Sequence, residues 1–186
     1  MHERFSLTTA ASSAWRPVLG AVIHNRTASV MAQLLPPPSE RFFEDYTVGT
    51  TYLCGSFALA EGEIIEFATR YDPQEMHIDR AWAADGPFGG IIASGWHTIT
   101  RMMRLLVENY LPAHGLAAAG VDELRWLRPV RPDMTLTVYA TVQDARRSRT
   151  RPDRGLVHTL VEVKDQDGEA VLTMKPMNFM RTRMPA

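Results

Sequence analysis

The sequence predicts a single α+β domain built on an antiparallel sheet, and three observations predict it. Candidate helices are confined to one stretch, between a first strand near Tyr52 and a closing run of strands that begins at Val121. The strands of that closing run alternate apolar and polar side chains, as a sheet with one buried face requires. The chain has 186 residues, 45% of them apolar and 22% charged, with a net charge of −1. That is the length and composition of one soluble globular unit with a substantial core.

The same numbers exclude several classes of function. Charge this close to balance gives no basic surplus for nucleic acid, and no run of about 18 apolar residues is present to span a membrane. A single cysteine, Cys54, forbids an intrachain disulfide. A reducing, cytoplasmic setting is expected, with Cys54 as a small buried side chain rather than a nucleophile.

Residues 1–38 differ from the rest of the chain. They are rich in Ala, Ser and Thr, carry Arg4, Arg16 and Arg26 against Glu3, and end in Pro36-Pro37-Pro38. Such a segment reads as a transit-type leader, as a disordered tail, or as sequence upstream of a true start at Met31. Three prolines make a stiff spacer, so the domain is expected over 39–186.

Within the domain, Tyr52 to Leu59 reads as a strand, with Leu53, Phe57 and Leu59 on one face and Tyr52, Cys54 and Ser56 on the other. Glu61 to Arg70 reads as a helix: Ile64, Ile65, Phe67 and Ala68 form its stripe, and Glu61 and Glu63 suit the positive end of the dipole. Pro73 disfavours helical backbone at Asp72 and places its carboxylate on an irregular segment. A second helix runs from Trp96 to Leu111 and is apolar over more than half its girth, which predicts burial under a sheet that curves around it. Ser94 is placed to cap it and Pro112 to end it. Gly115 to Gly120 reads as a flexible connection, Val121 to Leu127 as a strand, and Arg128 to Asp133, with its two prolines, as a break in pairing. Thr135 to Val142 alternates, with Leu136, Val138, Ala140 and Val142 on one face. The five arginines of 146–155 predict an exposed loop, with contact to the phosphates of a nucleotide-bearing ligand as the alternative. Leu156 to Lys164 and Ala170 to Met180 complete the sheet across an Asp165-Gln166-Asp167-Gly168 turn.

The chemistry concentrates in Tyr71–Thr98. Asp72 and His77 stand five residues apart, and Ser94-Gly95 opens the apolar helix, whose first amides are free to face an oxyanion. Taken alone, the pair also reads as a turn aspartate and a surface histidine. Asp79 reads as a loop anchor, His97 as a buried structural histidine, and Gly89-Gly90 and Ser94-Gly95 as turn and cap residues. A metal site is not expected, because neither a ligating cysteine nor a second neighbouring histidine accompanies the pair.

The runs Tyr71-Asp72-Pro73-Gln74-Glu75-Met76-His77-Ile78-Asp79 and Phe88-Gly89-Gly90-Ile91-Ile92-Ala93-Ser94-Gly95, with Pro129-Val130-Arg131-Pro132-Asp133 beyond them, closely resemble the hydratase motif of the MaoC-like dehydratases, the (R)-specific enoyl-CoA hydratase group of the hot-dog fold. The resemblance covers roughly 40–183. It implies a long central helix wrapped by a curved antiparallel sheet, and a homodimer or dimer of dimers joined edge to edge. It implies Asp72 and His77 as the catalytic pair, the Gly95 amide in the oxyanion hole, and Gly89, Gly90, Ser94 and Gln74 around the substrate. The substrate would be an acyl-CoA thioester, hydrated or dehydrated reversibly, with coenzyme A as part of it and neither metal nor redox cofactor. Three positions depart from the motif: Gln74 replaces asparagine, Glu75 replaces proline and Ser94 replaces histidine. The rival readings are a hot-dog thioesterase and a non-catalytic dimeric acyl-binding subunit.

Overall fold

The computed structural model describes residues 36–183. The N-terminal extension up to Leu35, with Met31 as an alternative start, lies outside the described residues. Two 3-10 turns, Pro38–Glu40 and Phe43–Asp45, lead into strand β1 (Thr51–Phe57). Four helices come next: α1 (Glu61–Tyr71), the short α2 (Glu75–Ile78) and α3 (Arg80–Asp85), and the long α4 (Gly95–Asn109). Strands β2 (Ala117–Trp126), β3 (Leu136–Arg147), β4 (Arg154–Lys164) and β5 (Ala170–Arg181) close the chain. The sheet has the order β1-β3-β4-β5-β2 and every neighbouring pair is antiparallel.

Alternation decides which side of the sheet is covered. Leu136, Val138, Ala140 and Val142 of β3 and Val157, Val161 and Val163 of β4 are all buried, as their period of two predicts. Met102 and Leu106 of α4 pack into this face, and each such side chain contributes about 1.5–3 kcal/mol on burial. Tyr110 joins them in the core. Its hydroxyl meets that of Thr159 at 2.8 Å, while Tyr46 donates to the Tyr110 carbonyl at 2.6 Å.

The structure corrects four expectations. In β1, Tyr52, Cys54 and Phe57 are all buried and Leu53 is exposed, so residues assigned to opposite faces share the buried one, with Cys54 buried as expected. A register shift between Leu53 and Gly55 inserts one extra residue opposite β3, which exchanges the two faces midway along the strand. Helix α4 is buried on one side only: Trp96, Met103 and Val107 are 56%, 40% and 54% exposed. The arginine loop is shorter than 146–155, because β3 runs to Arg147 and β4 begins at Arg154. Finally, β2 starts at Ala117, inside the stretch that reads as a flexible connection. Among the described residues, no helix is long and apolar enough to cross a membrane.

Candidate active site

Helix α1 ends where Pro73 forces it to. Asp72 caps it at φ −153° and ψ 65°, outside the helical region, with its amide still bonded to the Ala68 carbonyl at 2.8 Å. One turn of α2 then brings His77 back beneath the carboxylate. The side chain of Asp79 accepts from the amides of Ala81 at 2.9 Å and Trp82 at 3.0 Å, capping α3, so it anchors the loop as its spacing suggests. Gly89 and Gly90 turn the chain with φ of 64° and 144°, values that side chains rarely tolerate. The turn is fastened by the Gly90 amide on the Ala83 carbonyl, 2.7 Å, and by Arg131 on the Phe88 carbonyl.

Ser94 joins this segment to α4. Its hydroxyl accepts from the Trp96 amide at 3.2 Å as the helix cap and donates to Asp72 Oδ2 at 2.7 Å. The other carboxylate oxygen, Oδ1, accepts from the Gln74 side-chain amide at 2.7 Å. His77 is buried, and its Nε2 lies 3.5 Å from Asp72 Oδ2. Its Nδ1 sits 2.8 Å from the carbonyl oxygen of Ile92. A carbonyl only accepts, so Nδ1 carries the proton, and in the neutral ring Nε2 presents its lone pair toward Asp72. Burial pushes the Asp72 carboxyl up, but the donors from Gln74 and Ser94, joined by His77 in its charged form, more than offset it and hold it below the usual carboxylate value. Asp72 is therefore ionised at neutral pH.

Asp72 and His77 open on a cavity of about 400 Å³. Gly95 and Thr98 from the start of α4 line it, with Phe88, Ile92, Trp126 and Leu172 as apolar wall. Gly95 is the first residue of α4, and among the described residues its amide meets no acceptor. The amide adds to the positive end of the helix dipole, so this part of the wall favours negative charge. A Cβ built on Gly95 would run into the indole of Trp126, so the close approach of the two depends on glycine.

The structure thus brings Asp72, His77, Gln74 and Gly95 to one cavity. Ser94 is fully buried and reaches the cavity through Asp72 alone. Gly89 and Gly90 lie outside the lining and shape the loop that carries Phe88. His97 is buried as expected, stacked on Phe67 at 4.4 Å, with Nε2 3.5 Å from Glu63. The residues that sequence reasoning did not single out are Trp126 and the Ile92 carbonyl. The first belongs to a strand that reads as scaffold, and the second is a backbone group without a side-chain signal. The arginines of 146–154 sit at the far end of the sheet: Arg154 pairs with Arg181, whereas the cavity lies at Val171 and Leu172. Among the described residues, no group of three His, Cys, Asp or Glu side chains is placed to hold a metal.

Residues 43–164 match the family described as MaoC like domain. The uncharacterized protein YdeM of Bacillus subtilis is 30% identical over 139 residues, which are 71% of this chain and 97% of that protein. The crystal structure of a MaoC-like dehydratase from Rhodospirillum rubrum superimposes with a TM-score of 0.72 at 38% identity, covering 77% of this chain and 98% of that one. The (R)-hydratase PhaJ1 of Pseudomonas aeruginosa shares the fold, with a TM-score of 0.62 at 23% identity over 77% of this chain and 86% of its own.

Proposed function

This chain belongs to the MaoC-like dehydratase domain family, and from that premise we propose that it catalyses the reversible hydration of a trans-2-enoyl thioester, such as an enoyl-CoA, to a 3-hydroxyacyl thioester. The single observation that carries the proposal is the pairing of His77 Nε2 with the Asp72 carboxylate on the cavity that Gly95 also lines.

The roles derive from the hydrogen bonds. Water is held between Asp72 and His77. As its oxygen forms a bond to the β-carbon, its proton passes to the lone pair of His77 Nε2, and the electron pair of the double bond moves toward the thioester oxygen. The Gly95 amide and the α4 dipole stabilise that oxygen, and one such donor lowers a barrier by roughly 3 kcal/mol. The Asp72 carboxylate stabilises the imidazolium, which returns the proton to the α-carbon as the carbonyl re-forms. Asp72, held below the usual carboxylate value, acts as acceptor rather than acid. The reverse sequence is dehydration.

We also infer a homodimer. β2 ends the sheet with one edge free and is exposed along nearly its whole length. Val121 and Trp126 on it, Leu127 beside it, and Trp96, Met103 and Val107 on α4 leave large apolar side chains in solvent. A second copy paired along β2 covers them. Light scattering of the purified protein tests this, and a monomer at micromolar concentration would overturn it.

The decisive assay tracks both bonds of crotonyl-CoA. Loss of the enoyl absorbance without free thiol supports the hydratase. Free thiol with the enoyl absorbance intact supports a thioesterase instead, and neither change would leave an acyl-binding subunit.

A further inference from the structure

We propose that Arg128 is an anion-recognition residue of this cavity, so that the thioester it takes carries anionic oxygens within reach of the pocket wall. The inference rests on the hydratase reading and narrows its substrate class.

Arg128 lies just beyond the last residue of β2 and is the one Lys or Arg among the described residues that line the cavity. It is tied from behind: Nη2 donates to Asp165 Oδ2 across the turn between β4 and β5. Asp165 is a built anchor. It is 6% exposed, and its Oδ1 accepts from the amides of Asp167 at 3.0 Å and Glu169 at 2.9 Å. The Arg128 side chain is 43% exposed, and beyond the bond to Asp165 its N–H groups meet no acceptor among the described residues. A surface ion pair between two long, mobile side chains would be worth little. Here the carboxylate is fixed by two backbone amides and the arginine it anchors lines the cavity, which leaves donors suited to carboxylate or phosphate. Asp72 and the apolar Met76 and Phe88 line the same cavity, so among the described residues its formal positive charge comes from Arg128, beside the titratable His77.

Two parts of an enoyl thioester bring such oxygens: the phosphates of the carrier, or a second carboxylate on the acyl group. Two ratios of kcat/KM separate them. Crotonyl-CoA against crotonyl-pantetheine reads the carrier phosphates, and the pantetheine monothioester of fumarate against crotonyl-pantetheine reads the acyl carboxylate. At least one ratio is expected to reach about tenfold in the wild type, the value of a hydrogen bond to a charged group. Arg128→Gln should bring that ratio to near one, and Arg128→Lys should retain part of it. A strut that merely clamps the turn would lower every substrate together, so an unchanged ratio in Arg128→Gln overturns the proposal. Two wild-type ratios near one overturn it as well. Should the wild type hydrate none of these thioesters, the hydratase reading fails. The same ratios measured as calorimetric affinities then decide the anion site separately, and equal affinities in wild type and Arg128→Gln overturn it.

Discussion

At the cavity end of the sheet, Asp72 is met by Gln74 and His77 from the segment that follows it and by Ser94 from the start of α4, under partial burial. At the other end, Arg146 pairs with Asp144 and Arg154 with Asp153, each a near neighbour in sequence on an exposed turn. Both ends are rich in charge. Only the first gathers its polar groups into a space with apolar walls, where screening by water is weak and protonation states are fixed. Enclosure by apolar walls, rather than the number of ionisable groups, is what separates a site from a solvated hairpin.

Substitutions can break that contrast at graded strength. His77→Ala and Asp72→Asn are expected to lower kcat by about a hundredfold or more each, read in the enoyl hydration assay. Ser94→Ala should cost about tenfold, equivalent to one hydrogen bond to a charged group. Removing its hydroxyl lets the Asp72 carboxyl rise toward its ordinary value, so the acid limb of the rate profile should move to higher pH.

His97 sharpens the comparison from within the core. Burial holds its imidazole below the ordinary value of 6.5, with Glu63 of α1 acting in the opposite sense and Arg101 of α4 in the same. Below that value the unfolded chain takes up a proton that the folded chain refuses, so stability falls as pH drops. His97→Phe, which preserves the stack on Phe67, should flatten this slope of melting temperature between about pH 7 and 5.5. Smallest of all, Arg146→Gln should shift the melting temperature by no more than about 2 °C and leave turnover unchanged.

Much of this was legible in the residues. The period of two in β3 and β4, Pro73 after Asp72 and the Ser94 cap each express one local rule, and each is where the rule puts it. What escaped depended on partners distant in the chain. The faces of β1 exchange at a shift that only pairing with β3 reveals. The apolar girth of α4 predicted burial, but Trp96, Met103 and Val107 on one side of it are exposed. Arg128 read as part of a break between strands, because its bond to Asp165 spans 37 residues.

The Ile92 carbonyl has a further consequence. It fixes which nitrogen of His77 bears the proton, yet it belongs to the main chain and is the same whatever residue occupies position 92. A saturation survey of that position would report only how well side chains fill space beside the cavity, and its chemical role would go unseen. A change of side chain at 92 alters the cavity wall while the proton stays where the backbone puts it.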